Sequence, residues 1–124
     1  MNIPNDLLYT KDHEWVKIEG KHATVGVTDY AQSQLGDIVF IDIQTEGMYL
    51  DADQEFGAIE AVKTVADLLM PLSGTITHVN PDLVSDPQLV NTDPYGNGWM
   101  IKIDFTNQDE AKELLSPEAY AETL

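Results

Sequence analysis

The chain has no cysteine and no arginine. Without thiols the polypeptide supplies neither a disulfide nor a sulfur nucleophile, so any sulfur redox chemistry must come from an attached group. Basic charge is limited to six lysines against twenty-two acidic side chains, a formal net charge of -16. A field of that sign repels phosphate backbones and anionic lipid, which makes nucleic acid and membrane surfaces poor partners. The same field speeds encounters with basic patches on other proteins and keeps the chain dissolved. Also missing are an apolar run of transmembrane length and a signal-peptide core, and the start Met1-Asn2-Ile3-Pro4 lacks the arginine-rich character of a transit peptide. The expected location is the cytoplasm, or the mitochondrial matrix only if a presequence has been removed.

Self-contained catalysis is equally short of material. Gly96-Asn97-Gly98 precedes a strand and opens no helix, so it is no phosphate loop. Ser73-Gly74 lacks the Gly-x-Ser-x-Gly frame of a nucleophile elbow. His13, His22 and His78 are scattered, without the close ligand spacing of a zinc site. Asp51, Asp53 and Glu55 share one side of an extended segment, but Phe56 stands where a calcium loop needs glycine, so they read as a solvated acidic edge. The expectation is a protein that is no enzyme and holds no metal.

What is present is a run of short strands. At 124 residues the chain is one domain with a single core. Leu7 to Tyr9 and Glu14 to Glu19 read as extended, and Gly20-Lys21 turns the latter into His22 to Val27. Thr28 caps a short helix that Gly36 ends after Leu35. Ile38 to Ile43 is a strand, and Phe56 to Val62 pairs with Val65 to Leu72. Thr75 to Val79 follows, after which Pro81, Pro87 and Pro94 argue against helix. Trp99, Ile101, Ile103 and Phe105 alternate with Met100, Lys102 and Asp104, which predicts a half-buried strand. Thr106 or Asn107 then caps a helix through Leu115, and Ser116 with Pro117 starts another. The fold class is mainly β, a β-sandwich decorated by a short internal helix and C-terminal helices.

The stretch Ile59-Glu60-Ala61-Val62-Lys63-Thr64-Val65-Ala66-Asp67 stands out. It reads as a hairpin with Lys63-Thr64 at the tip, although neither residue suits the positive φ of a two-residue hairpin turn. Ala61 and Ala66 leave room for an approaching enzyme, and Glu60 and Asp67 bracket the amine with negative charge. An exposed lysine so placed suits covalent attachment. Taken alone, an exposed lysine at a hairpin tip usually serves solubility.

Glu60-Ala61-Val62-Lys63-Thr64 resembles the lipoylation motif of the glycine cleavage system H proteins, with Ala61 and Thr64 where that family more often has serine and alanine. Further blocks follow in the family's order: His13-Glu14-Trp15, Tyr30-Ala31-Gln32 with Leu35 to Val39, Pro71 to Gly74, Asn80-Pro81 and Pro94 to Trp99. The resemblance implies that residues 1–124 form one lipoyl-carrier domain, a lipoyl-domain-like barrel-sandwich hybrid. Lipoate would be attached to Lys63 as a swinging arm, and Glu14 and Asp67 would hold the loaded arm in a surface cleft. The resemblance also implies a shuttle, carrying the aminomethyl group of glycine from a pyridoxal-phosphate decarboxylase to a tetrahydrofolate aminomethyltransferase and electrons to a flavin dihydrolipoamide dehydrogenase. A lipoate ligase or lipoyltransferase would load it, and a mobile shuttle favours a monomer.

Alternatives stay open on the residues alone. A biotinyl carrier normally surrounds its lysine with methionines, where this chain has Val62 and Thr64, and the lipoyl domains of 2-oxoacid dehydrogenases typically carry Asp-Lys in longer chains. An H-like lipoyl carrier of another pathway, such as sulfur oxidation or lipoyl relay, would look similar at the site. An unmodified acidic interaction protein would carry no covalent group.

Overall fold

A computed structural model describes residues 1–124. In chain order it contains β1 (Leu8–Tyr9), β2 (Glu14–Glu19), β3 (His22–Val27), α1 (Asp29–Leu35), β4 (Ile38–Asp42), β5 (Tyr49–Leu50), β6 (Glu55–Ala61), β7 (Val65–Leu69), β8 (Gly74–Val79), α2 (Asp82–Ser85), α3 (Leu89–Thr92), β9 (Ile101–Asp104), α4 (Gln108–Ala111) and α5 (Pro117–Glu122). The strands form two antiparallel sheets, a six-stranded one in the order β1-β2-β3-β9-β8-β5 and a three-stranded one in the order β4-β6-β7. Between them lies the main core, in which Val25, Ile38, Phe56, Ile59, Leu72, Ile76 and Ile101 are fully buried.

Most elements fall where the residue pattern puts them. Alternation places β2 and β3 in register about the Gly20-Lys21 turn. Within that pair Trp15 lies opposite Gly26, and a side chain at Gly26 would meet the indole at 2.6 Å, so only glycine lets the ring lie across the neighbouring strand. Trp15 Nε1 donates to the Pro94 carbonyl at 2.9 Å, which satisfies the one polar atom of a buried indole. The Thr28 side chain caps α1 by accepting from Ala31 N–H, and Ser116 caps α5 with Pro117 in its first turn.

Four expectations are corrected. Pro81 and Pro87 do not exclude helix; each stands at the start of a single turn, α2 and α3, where its fixed φ is already helical and its missing N–H would have had no partner. Met100 is buried and Trp99 only half-buried, the reverse of the predicted faces. The regular strand begins only at Ile101, and Trp99 lies against the Lys102 ammonium, 4.9 Å from its ring centre. The helix capped by Asn107 ends at Ala111 and does not run to Leu115. The two-residue strand β5, edge partner of β8, is too short to show a period and was not expected.

A second, smaller core joins the ends of the chain. Leu7, Tyr9, Trp15 and Tyr120 are buried together, with the Tyr9 and Tyr120 rings stacked at 4.7 Å. This packs α5 against β1 and brings the Tyr120 hydroxyl to the end of β3 and the start of α1.

Candidate functional site

The hairpin of β6 and β7 carries Lys63 into solvent. Ala61 N–H donates to the Thr64 carbonyl at 2.8 Å, so the residues between this pair are Val62 and Lys63, one position earlier than the expected Lys63-Thr64 tip. Neither has positive φ. The turn is held from outside instead, because Val62 N–H donates to the Asp37 carbonyl at 3.0 Å, just before β4. Asn91 of α3 secures that junction: its carbonyl accepts Ile38 N–H, and its amide donates to the Gly36 carbonyl and to Gln32 Oε1.

Lys63 itself lies over Gly36, where an added side chain would stand 3.6 Å from the lysine Cε. Gly36 ends α1 at φ 80° and ψ -154°, a region essentially reserved for glycine. The lysine is exposed and forms no ion pair, despite the surrounding acids. An unpaired amine on a braced turn is positioned for attack on an electrophile brought to it.

Beside the hairpin is a cleft of about 200 Å³. Tyr30, Ala31, Gln34 and Leu35 of α1 form one wall and Ala66 and Leu68 of β7 the other, with the exposed Asp67 between them at the rim and Val27 and Ile59 completing the lining. Asp12, His13 and Glu14 close one end. Lys63 stands outside, past the Leu35 end of the helix, and Glu14 and Asp67 line the same cavity.

The two acids differ in state. Glu14 is buried; Oε2 accepts Leu69 N–H at 3.1 Å and Oε1 accepts the Thr10 hydroxyl at 3.3 Å. Burial pushes its pKa from 4.5 up to about 8, against the pull of the Leu69 N–H. Glu14 therefore does not face water as an ordinary strand residue would. Asp67 is exposed, and its carboxylate raises the pKa of neighbouring Glu55 by hydrogen bonding and like charge. The pair is thus one exposed acid and one buried carboxyl that stays protonated at neutral pH, a latent counter-charge for a cation.

Residue patterns alone missed the rest of the wall. His13 has φ 65°, lies with its ring 4.7 Å from that of Tyr30, and has Nδ1 2.9 Å from the Tyr120 hydroxyl. Burial lowers its pKa, which favours the neutral imidazole. The Tyr120 hydroxyl also meets the buried Thr28 Oγ1 at 2.7 Å. The helical spacing of Tyr30, Ala31, Gln34 and Leu35 was a usable signal for the α1 wall, whereas nothing local marks Tyr120 or Asn91.

The sequence matches the family model of the glycine cleavage H-protein over residues 7–124. It is 56% identical over 122 residues to the glycine cleavage system H protein of Salinibacter ruber, covering 98% of each chain. To that of Bacteroides fragilis it is 52% identical over 120 residues, covering 97% of this chain and 95% of the relative. Among solved structures, the crystal structure of a glycine cleavage system H protein from Mycobacterium marinum superposes with a TM-score of 0.87 at 40% identity, covering 97% of both chains. The two-sheet architecture is accordingly the lipoyl-domain-like β-sandwich.

Proposed function

The chain belongs to the glycine cleavage H-protein family, and from that premise we propose that it carries lipoate on Lys63 and serves as the mobile carrier of a glycine cleavage system, a subunit and not a catalyst. The observation that carries the reading is an unpaired, exposed lysine on a braced hairpin beside an apolar cleft with Glu14 at one end and Asp67 on its rim. When attached, lipoate supplies a dithiolane whose disulfide takes up the aminomethyl group of glycine and is restored by thiol-disulfide exchange.

The residues present fit such a group. Acylation removes the Lys63 charge, which no partner on this chain requires. Val27, Leu35, Ile59, Ala66 and Leu68 offer a hydrocarbon chain a dry lining. At the closed end Glu14 gives up its proton when a protonated amine arrives, since a cation within reach lowers a carboxyl pKa. Asp67 supplies a second carboxylate from the rim, and together they hold the amine by charge-assisted hydrogen bonds while the walls exclude water. His13, kept neutral, adds no repelling charge.

The partners on this reading are the pyridoxal-phosphate glycine decarboxylase, the tetrahydrofolate aminomethyltransferase, the flavin dihydrolipoamide dehydrogenase and a lipoate ligase or lipoyltransferase, each meeting a monomer. The named relatives are bacterial, so the reading places the chain in the cytoplasm and the conditional mitochondrial location finds no support. The experiment is glycine-dependent carbon dioxide exchange with the lipoylated protein and the other components. Exchange that requires the protein and is lost in Lys63→Arg supports the carrier role, and normal exchange by that variant removes it.

A further inference from the structure

A strand buried on one face should alternate, and β4 does not. Its register against β6 slips between Ile38 and Phe40, so Val39 and Phe40 are consecutive outward residues, 47% and 50% exposed, while Ile38 and Ile41 point inward. On the same outer face Phe40 lies opposite Glu60, and Glu60 lies opposite Val65. Val65 is 63% exposed and Val62, in the turn, 76%. Apolar side chains exposed singly are ordinary, whereas several gathered on one face, here with only Glu60 between Phe40 and Val65, mark a contact surface. Asp42, Glu55 and Glu60 are exposed in and around this strip.

We propose that the strip Val39, Phe40, Val62 and Val65 is the docking surface for the enzyme that acylates Lys63, whose matching face is an apolar depression rimmed by lysines and arginines. The proposal rests on Lys63 being the attachment site. Geometry favours this occupant, because acylation needs the amine itself inside an active site. The enzyme must therefore cover the turn and the strands beside it, whereas enzymes acting on the far end of a long arm can stand away from the body. Charge complementarity gives the rim: a chain of net charge -16 with carboxylates in and around an apolar strip attracts and orients a basic surface. In the reaction Nζ first gives up a proton and then attacks the acyl carbon of a lipoyl adenylate or thioester. The amide C–N bond forms as the acyl–O or acyl–S bond breaks, the leaving group takes that electron pair, and the second nitrogen proton passes to solvent.

The test follows lipoyl incorporation into the full unmodified chain by intact mass, using a bacterial lipoate ligase with lipoate and ATP. Phe40→Ser with Val65→Ser lowers kcat/KM for acylation about tenfold or more, chiefly through KM, with circular dichroism unchanged. Val62→Ser, outside every strand, gives a smaller fall of the same kind without touching sheet stability. Tyr49→Ser, exposed on the other sheet, leaves the rate unchanged. Glu60→Lys raises KM and weakens its dependence on salt. The docking surface is overturned if wild type is acylated at Lys63 and the serine variants keep its kcat/KM. A wild-type chain that takes up no lipoyl group overturns the attachment reading, and the docking surface with it.

Discussion

Replacing Glu14 by glutamine changes the pH dependence of the protein's stability, and the sign of the change follows from burial. The Glu14 carboxyl has its pKa raised from 4.5 to about 8, first by desolvation and further by Asp12 and Asp53, with the Leu69 N–H and Thr10 hydroxyl pulling the other way. Between those values the folded chain keeps a proton that the unfolded chain has released. Stability from this group is therefore fully present below about pH 4.5, declines as pH rises, and levels off above about pH 8. At roughly 1.4 kcal/mol per pH unit the full loss is on the order of 5 kcal/mol. Glutamine does not titrate, and its amide oxygen accepts from Leu69 N–H as the carboxyl does. The stability difference between Glu14→Gln and wild type should thus swing in the variant's favour by on the order of 4 kcal/mol between about pH 5 and pH 8.5. Urea unfolding of both proteins over that range measures it, with every other titrating group common to the two. Parallel stability profiles would refute the claim that Glu14 is buried and protonated.

Other consequences are as direct. Asp67→Asn speeds loss of the aminomethyl group from the isolated loaded carrier and leaves lipoylation intact, and unchanged decay in a discharge assay counts against the acid's role. The same substitution lets the Glu55 pKa fall toward its ordinary value, which carboxyl NMR titration reads. Gly36→Ala puts a side chain where φ is 80° and ψ is -154°, at a cost of about 1–3 kcal/mol in denaturant unfolding; no loss of stability would contradict the assigned backbone. Tyr120→Phe removes one of the two partners of the buried Thr28 hydroxyl, which keeps the Ala31 N–H, and takes away the partner of His13 Nδ1; the two lost hydrogen bonds should lower stability by about 1–3 kcal/mol.

The parts of the fold that were legible in sequence are those written locally. Period-two alternation and Gly20 marked β2 and β3, and Thr28 with Gly36 marked both ends of α1. Ser116 with Pro117 marked the start of α5. What stayed hidden depends on distant partners. The hairpin tip was misplaced by one residue because the Asp37 carbonyl, not turn chemistry, fixes Val62. Met100 is buried because its N–H is drawn to the Val25 carbonyl before β9 begins, which no period shows. The bulge that turns both Val39 and Phe40 outward is likewise a property of pairing with β6. At the candidate site, the exposure of Lys63 was legible from its neighbours, while its proposed role and that of Glu14 come from family resemblance; the burial of Glu14 was not legible, since as an isolated strand residue it reads as solvent-facing. Tyr120 reaches His13 from 107 positions away, which only the packing of α5 on β1 brings about.

On the proposed function, one amine of this chain accepts lipoate. Peptide mapping by mass spectrometry after incubation with lipoate, ATP and a lipoate ligase tests it most directly. The expected result is a single lipoyl group, on the peptide containing Lys63, with none on the remaining lysines and none anywhere in Lys63→Arg. A lipoyl group on another lysine, or undiminished incorporation in that variant, would contradict it.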